Sequence, residues 1–366
     1  MNELERRLAD DLQRLVDAEA AVQGAGSLLR VEVPHEGLVL RHAAGGISIG
    51  GDAAEPTSPF RIASITKTFT AAVVAQMVHE GRLGFDDLIA SHLPADHLDL
   101  LPRLHVFDGV SYGERMTVRQ LLTHSAGLFD YAMSESFFLE IAADPGRPWT
   151  PRRMLEGAIA WGAPHFAPDT GYGYAYSDTG YVLLGLAIEH LDGRPLHEAY
   201  RARIIEPLGL RGTYLEGFEE HRGSAMTHPH EGTIDTFPIH GSADWAGGGL
   251  VSDTDDLAVF ARALATGTVV PQPELDQMLE FRFRTLDPAK HSPGFLGYGM
   301  GVEARDVDGV LLRGHRGHWG AWMHVDPATG LTITGTINQA DRRPDRVVQG
   351  AVDALQRVGI VAGGAR

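Results

Sequence analysis

The order of strand-like and helix-like segments is the feature that most restricts how this chain can fold. Strand-like runs bounded by Gly, Pro or Asp occur near the N-terminus, at residues 27–33 and 37–42. Similar runs return near the C-terminus, at residues 298–304, 309–313, 321–325 and 331–337. The residues between them have the sequence pattern of helices. We therefore predict an α+β fold, in which one antiparallel sheet is built from both termini and a helical region is inserted between them.

Helices are predicted at both ends of the chain and within its middle. In residues 1–22, apolar residues recur at helical spacing: Leu4, Leu8, Leu12, Leu15 and Val16. The last helix should begin at Pro344, because proline lacks the N–H that a first helical turn leaves unpaired. Three inner helices should begin at Thr117, Asp178 and Asp253.

The length of 366 residues is enough for one large domain or two interleaved ones, each with a core. The change between strand-like and helix-like segments suggests boundaries near residues 84 and 240, each defined only to within several residues. We predict that residues 1–83 and 240–366 form an α/β lobe with the sheet, and that residues 84–239 form a helical lobe. The active site would lie between these two lobes.

Composition narrows the function classes. The formal net charge of −17 repels phosphate backbones and anionic lipid, so we expect no nucleic-acid or membrane partner. The absence of cysteine excludes disulfides, thiolate nucleophiles and cysteine metal sites. The charged first 22 residues do not resemble a signal peptide, and no stretch is long and apolar enough to span a bilayer. We expect a soluble, cytoplasmic protein.

A serine and a lysine stand three residues apart in Ser64-Ile65-Thr66-Lys67, at the start of a predicted helix. This spacing places Ser64 and Lys67 on the same helix face. Taken alone, the four residues favour a helix-capping serine followed by a solvated lysine, although first turns prefer acidic residues. The alternative is an activated serine, whose proton is accepted by a partly desolvated lysine.

A second serine, Ser48, lies in Gly46-Ile47-Ser48-Ile49-Gly50, which matches the G-x-S-x-G nucleophile elbow of α/β-hydrolases. That motif works only on a sharp turn from a strand into a helix. Residues 51–56, GDAAEP, begin no helix. We therefore reject Ser48 as the nucleophile and expect it in a glycine-rich turn or strand.

Two later stretches are also candidates for chemistry. Tyr176-Ser177-Asp178 precedes a predicted helix. The alternative to a chemical role is that Asp178 simply caps this helix. His315-Arg316-Gly317 lies on a predicted strand, where glycine would allow a ligand or another segment to approach the backbone closely. The alternative for this stretch is a bend at the sheet edge with surface histidines.

In this order and separation, S-x-x-K, Y-S-x and H-x-G resemble the motifs of the serine β-lactamase and penicillin-binding-protein superfamily. The resemblance is closest to the class C β-lactamase-like branch, with its D-alanyl-D-alanine carboxypeptidases, D-aminopeptidases and esterases. Three further stretches are similar to that family: TVRQLLTHSAGLFDY (117–131), IIEPLGL (204–210) and AGGGLVSDTDDLAVFA (246–261). The resemblance covers about residues 55 to 340 and implies a β-lactamase/transpeptidase-like fold.

The resemblance implies a serine hydrolase that forms an acyl-enzyme with a small ester or amide. Ser64 would be the nucleophile, Lys67 would hold or accept its proton, and Tyr176 would relay the proton to the leaving group. A lysine ammonium would have to lower the tyrosine pKa from about 10, and the two groups would titrate as a coupled pair. The backbone N–H groups of Ser64 and His318 would form the oxyanion hole, and Gly317 would let substrate lie along the strand.

Two positions depart from the β-lactamase pattern and bear on substrate binding. Asp178 stands where many members of the family have asparagine. Its carboxylate would either accept a hydrogen bond from Lys67 or face a hydrogen-bond donor of the substrate, such as an amine. The first possibility shifts the role of base from the lysine to the tyrosine. His315 replaces a lysine that helps to hold the substrate carboxylate. Strand alternation places the nearby Arg313 and Arg316 opposite or beside the site, so Arg316 is a less secure substrate-binding candidate. We predict weak or no β-lactamase activity.

Histidines and tryptophans need separate assessment. Two groups of histidines could be taken as zinc ligands: His228, His230 and His240, and His315 with His318. No H-E-x-x-H motif accompanies them and Pro229 forces an extended loop, so we predict neither a metal nor another cofactor. Three tryptophans could wall an acyl pocket or pack in the core: Trp245, Trp319 and Trp322.

Two other functions stay open. One is an acyltransferase that passes the acyl group to an alcohol or amine, because the residues do not distinguish water from another acceptor. The other is a non-catalytic acyl-ligand binder, which would have no need of the lysine and the tyrosine together. The expected partner is a small ester or amide. A peptidoglycan substrate is less expected without an export signal, and the sequence does not indicate an oligomeric state.

Overall fold

The computed structural model describes residues 3–168, 173–281, 294–340 and 342–361. In this part of the chain the strands are β1 (Ser27–Val33), β2 (Leu38–Ala44), β3 (Phe60–Arg61), β4 (Val106–Phe107), β5 (Val110–Ser111), β6 (Tyr214–Leu215), β7 (His230–Glu231), β8 (Ile234–Asp235), β9 (Leu250–Ser252), β10 (Phe295–Tyr298), β11 (Glu303–Val307), β12 (Val310–Arg316), β13 (Ala321–Val325) and β14 (Thr332–Thr336). The main sheet has seven strands in the order β10-β11-β12-β13-β14-β1-β2. A smaller sheet has the order β3-β9-β6.

The main sheet joins the two ends of the chain. Its strands are antiparallel, and β1 lies between β2 and β14, with Leu28 opposite Thr336 and Leu29 opposite His42. The turn between β1 and β2 ends at Gly37, whose φ of 62° lies in the left-handed region that favours glycine. The predicted α+β fold with a sheet built from both termini is therefore confirmed.

Two helices cover one face of the sheet. In the described part of the chain the helices are α1 (Glu3–Gln23), α2 (Thr66–His79), α3 (Leu101–Leu104), α4 (Val118–Leu122), α5 (Glu135–Ala143), α6 (Pro151–Trp161), α7 (Asp178–Asp192), α8 (Leu196–Tyr200), α9 (Glu206–Leu208), α10 (Trp245–Gly248), α11 (Thr254–Ala265), α12 (Gln272–Met278) and α13 (Asp345–Arg357). Helices α1 and α13 contact each other and bury one apolar cluster against the sheet. From α1, Leu8, Leu12 and Val16 are fully buried, whereas Leu4 is exposed.

The other face of the sheet packs against α11, and beyond it lie α2 and α7. Helix α2 is buried on nearly all sides, since every residue from Thr66 to Ala75 is buried, as is Met77. A helix with no exposed face over this length lies in the interior of a protein. One continuous hydrophobic cluster includes Leu28 of β1, α2 and α7. The start of α2, where the serine and lysine lie, is therefore fixed by the core.

One predicted strand is wrong. The run at residues 298–304 is split, because β10 ends at Tyr298 and β11 begins only at Glu303. Between them Gly299 donates its N–H to Val302 O at 2.9 Å, and Gly301 has a φ of 69°. These glycines let the chain turn where the apolar pattern alone predicted an extended segment.

Candidate active site

Ser64 lies in a tight turn just before α2. The turn spans Ala63–Ile65 as a 3-10 helix, and Ala63 has a φ of 44°, which is unusual for a residue with a side chain. Helix α2 begins at Thr66 and has no side-chain cap. The interpretation of Ser64 as a helix cap is therefore wrong, and its half-buried side chain instead lines a cavity.

Lys67 is fully buried and donates to three acceptors. Its Nζ lies 3.0 Å from Ser64 Oγ and 2.8 Å from Gly247 O, and it forms an ion pair with Asp178 Oδ1. Three donors facing three acceptors is the arrangement of an ammonium group. The interpretation of Lys67 as a solvated first-turn residue is wrong. Of the two possibilities for Asp178, the structure shows the one in which it accepts from the lysine.

Gly247 allows this close grouping. A Cβ at Gly247 would lie 2.5 Å from Asp178 Oδ1, so any larger residue would displace the carboxylate. Gly247 belongs to α10, which contacts both α2 and α7. The glycine-rich stretch of residues 246–250 therefore brings a backbone carbonyl and two helix termini together around Lys67.

Tyr176 lies beside Lys67 and the serine. The lysine Nζ is 4.8 Å from the centre of the tyrosine ring, and the His124 ring lies 4.1 Å from it on centroids. Among the described residues the buried hydroxyl has no partner in hydrogen-bonding geometry, although Ser64 is near enough to lower its pKa. Burial, followed by the charge of Asp178, raises the pKa of Tyr176 well above its usual value. The predicted lowering of this pKa by Lys67 is not found.

Two further carboxyl groups surround the lysine and were not recognised from the sequence. Asp130 Oδ1 accepts from the backbone N–H of Asp178 at 3.2 Å, and Asp244 lines the same cavity. Burial and the charge of Asp178 raise the pKa of Asp130 well above its usual range, and the same two causes raise the pKa of Asp244. Three carboxyl groups, those of Asp130, Asp178 and Asp244, therefore lie around the Lys67 ammonium.

The end of β12 approaches the turn that precedes Ser64. A Cβ at Gly317 would lie 2.3 Å from the backbone oxygen of Ile62, so only glycine allows this contact. The Gly317 N–H donates to Ala321 O at 2.8 Å, and the next residue, His318, lines the cavity together with Ser64. Gly317 lets the strand approach the loop that carries Ser64, and its predicted role of letting substrate lie along the strand stays a prediction.

His315 is among the residues that line the cavity, but it is almost fully buried and its side chain is hydrogen-bonded to its neighbours. Its Nε2 is 2.9 Å from Tyr298 Oη, and its Nδ1 is 2.6 Å from Arg316 O. Burial lowers the pKa of His315 to about 4. Arg316 lines the cavity and its Nε donates to Glu303 at 3.1 Å, whereas Arg313 lies over the Phe281 ring at 5.8 Å.

The cavity has a volume of about 1300 Å³. Its lining includes the polar side chains of Ser64, Tyr176 and Asp178. Apolar side chains also line it, among them Phe129, Met133, Phe137, Phe138, Ile141 and Ile239. Trp319 also lines the cavity, whereas Trp245 and Trp322 are buried in the core. A small ester or amide with an apolar substituent fits this distribution.

Ser48 and the loop histidines lie elsewhere. Ser48 O accepts from Gly51 N at 3.0 Å in a turn, and no helix follows it. His228 Nδ1 is 2.8 Å from Asp235 Oδ2, and His240 Nδ1 is 2.7 Å from Ser242 Oγ. Across the described residues, no three His, Asp or Glu side chains are placed to hold a metal ion.

Similarity to solved structures defines the class of fold. A D-stereospecific amidohydrolase from Streptomyces sp. has a TM-score of 0.77 and 28% identity, covering 94% of this chain and 97% of that chain. Together with the buried serine–lysine pair, this similarity indicates a β-lactamase/transpeptidase-like serine hydrolase fold. The family follows from the sequence: the model of the Beta-lactamase family matches residues 12–357, so the chain belongs to that family.

Two curated relatives extend this result. Penicillin-binding protein 4 of Amycolatopsis lactamdurans is 28% identical over 308 residues, covering 79% of this chain and 74% of that protein. The D-aminopeptidase of Brucella anthropi is 27% identical over 294 residues, covering 78% of this chain and 50% of that protein. The predicted family, and with it a hydrolase related to β-lactamases, is confirmed.

Over the described residues, every helix is too short or too polar to traverse a bilayer. The predicted cytoplasmic location stays a prediction.

Proposed function

We propose that this chain is a serine hydrolase that cleaves a small ester or amide through an acyl-enzyme on Ser64. One observation carries the proposal: the Nζ of the fully buried Lys67 donates to Ser64 Oγ at 3.0 Å. Burying an ammonium costs free energy unless it is paired. A serine that only capped the helix would not need a buried lysine beside it. A serine nucleophile would need this fixed cation.

In the proposed reaction Lys67 orients Ser64 and stabilises charge. Its three N–H groups are already taken by acceptors, so Tyr176 is better placed to receive the serine proton. The raised pKa of Tyr176 means that it starts as a neutral phenol. As Ser64 Oγ attacks the carbonyl carbon, its proton passes to the phenol oxygen while the phenol proton passes to the leaving oxygen or nitrogen. No phenolate has to form in the resting enzyme.

The negative charge that develops on the substrate oxygen would be held by two backbone N–H groups, those of Ser64 and His318. The contact of Gly317 with Ile62 O supports this placement, because it brings the segment just before His318 close to the segment just before Ser64. Deacylation would use the same route in reverse, with water in place of the leaving group.

We also propose that the site lies between the two lobes, at residues 1–83 with 240–366 and at residues 84–239. The cavity is lined from both: Ser64 and His315 belong to the first, and Phe129 and Tyr176 to the second. The proposed substrates are neutral or cationic rather than anionic, since the lysine beside Ser64 is already paired with Asp178. The names of the relatives, a D-aminopeptidase and a D-stereospecific amidohydrolase, are consistent with small amides.

The test combines covalent labelling with turnover. Intact mass spectrometry with a fluorophosphonate probe should show one adduct on the wild type, with hydrolysis of p-nitrophenyl butyrate. Ser64→Ala should lose both, whereas the matched control Ser48→Ala should keep both. Labelling that survives Ser64→Ala would refute the proposal. A competing alcohol added to the assay distinguishes the acyltransferase alternative, because an ester product would then accumulate.

A further inference from the structure

A chain of hydrogen bonds runs beneath the cavity through two histidines and one tyrosine. The backbone N–H of Ser177 donates to His124 Nδ1 at 3.1 Å, and His124 Nε2 lies 3.2 Å from Tyr298 Oη. The same Tyr298 oxygen lies 2.9 Å from His315 Nε2, and His315 Nδ1 lies 2.6 Å from Arg316 O. His124, Tyr298 and His315 each expose no more than 2% of their surface.

The two ends of this chain fix the direction of every bond. The backbone N–H can only donate, so His124 Nδ1 accepts and the ring proton of His124 must be on Nε2. At the other end a carbonyl can only accept, so the ring proton of His315 is on Nδ1. Tyr298 therefore accepts from His124 and donates to His315, and the hydroxyl of the neighbouring Tyr181 already donates to Leu122 O at 2.9 Å. His315 Nε2 is the acceptor for a phenol hydrogen, so its lone pair is not available to a substrate while that bond is kept.

Neighbouring charged groups both raise and lower the pKa of His315. Burial is the largest cause that lowers its pKa, and Lys67 and Arg316 lower it further, while Glu303 raises it. The titratable or charged side chains that face it from the neighbouring elements are Lys67, His124, Tyr176, Tyr298, Glu303, Arg316 and His324. Because Glu303 favours the charged form, His315 would gain a proton more readily if its Nε2 were free.

We propose that Tyr298 is a positioning residue that sets specificity: by occupying His315 Nε2 it keeps this side chain neutral and unable to bind a carboxylate on the leaving group. The proposal rests on the proposed function, in which Tyr176 hands a proton to the leaving group. His315 and Tyr176 both line the cavity, and their rings lie 6.4 Å apart on centroids. The neighbouring Arg316 is already paired with Glu303 and Asp345.

The variant that tests this role is Tyr298→Phe, and its matched control is Tyr214→Phe. Tyr214 is also buried and also bonded to a histidine, at 2.9 Å from His221 Nδ1, but His221 does not line the cavity, whereas His315 does. Two phenyl esters are compared, 3-carboxyphenyl butyrate and the uncharged 3-carbamoylphenyl butyrate. The quantity measured is the ratio of their kcat/KM values, because a general loss of activity cancels in that ratio.

In Tyr298→Phe the Nε2 lone pair of His315 no longer accepts the phenol hydrogen, and the Glu303 carboxylate favours its protonation. The ratio in favour of the carboxylate should then rise about tenfold or more from about pH 8 to about pH 5.5. In the wild type and in Tyr214→Phe it should change less than about twofold over the same range. A ratio in Tyr298→Phe that does not depend on pH would overturn the proposal.

A second measurement needs no folded variant of Tyr298. Nitrogen NMR of histidine-labelled wild type, assigned with His124→Gln and His315→Gln, reports the tautomer of each ring. We expect His124 protonated on Nε2 and His315 on Nδ1, with no titration of either between about pH 5.5 and about pH 8. The opposite tautomers, or a His315 that titrates in this range, would overturn the proposal. If neither ester is hydrolysed, the proposed function fails, while the NMR result still decides the role of Tyr298.

Discussion

Replacing Gly317 with alanine should damage catalysis far more than folding. The new Cβ would lie 2.3 Å from Ile62 O, whereas such atoms normally stay about 3.5 Å apart. One of the two segments must therefore move by about 1 Å. Ile62 cannot yield easily, because its side chain is fully buried and its N–H donates to Leu250 O at 3.1 Å.

The expected loss of catalytic rate follows from the positions of Ile62 and Gly317 in the chain. Ile62 lies two residues before Ser64, and Gly317 lies one residue before His318, so the movement separates the two N–H groups of the proposed oxyanion hole. A misplacement of about 1 Å costs on the order of 100-fold in rate, which corresponds to about 2.7 kcal/mol in the barrier. Overpacking costs about 1–3 kcal/mol of folding free energy, which a domain of ordinary stability tolerates.

The assay compares kcat/KM for p-nitrophenyl butyrate with the melting temperature, in the wild type, Gly317→Ala and a control. The control is Gly146→Ala, because a Cβ at this exposed residue would have no atom within 4 Å. We expect the control to keep its activity within about twofold. If Gly317→Ala kept wild-type kcat/KM, the contact with Ile62 would not position the oxyanion hole and the assignment of His318 would be wrong.

Three other outcomes are expected. Lys67→Met should slow fluorophosphonate labelling of Ser64 about 100-fold or more. Asp178→Asn should slow the labelling less, because an amide oxygen still accepts a hydrogen bond from Lys67. Equal labelling rates in the two variants would contradict this order. Nitrocefin turnover should be slow or absent, and rapid turnover would refute the reading of His315. Burial raises the pKa of Asp253 to about 6, so its ionisation lowers stability as pH rises above about 4. Asp253→Asn keeps the oxygen that caps α11 and should raise the free energy of unfolding by up to about 3 kcal/mol at pH 8, but hardly at pH 4, in urea titrations.

The fold was largely predictable because its strands and end helices have regular apolar patterns. Strand β13 was predicted at its observed bounds, and Thr117 and Asp253 cap their helices as expected. The error at residues 298–304 arose because an apolar run with two glycines also fits an extended strand. Only the folded chain shows the tight contact there: a Cβ at Gly301 would lie 2.7 Å from Lys67 O.

The catalytic candidates and their supporting residues differed in how visible they were. Ser64, Lys67 and Tyr176 stand in short motifs whose spacing can be recognised in a sequence. His124 and Tyr298 are 174 residues apart and form one bond in a buried chain. Nothing in the local pattern of either residue distinguishes it from an ordinary buried aromatic. Their pairing depends on tertiary packing alone, which periodicity cannot report.

The two departures from the family pattern act in the same direction. Asp178 in place of asparagine adds a negative charge beside Lys67, and His315 in place of lysine removes a positive one, because its ring is neutral. Relative to a site with asparagine and lysine, this site is therefore more negative by two charges. The single ammonium of Lys67 is already held by Asp178 and by Ser64 Oγ. A substrate carboxylate beside Ser64 would have to compete with Asp178 for Lys67, whereas a neutral or amine-bearing acyl group would not.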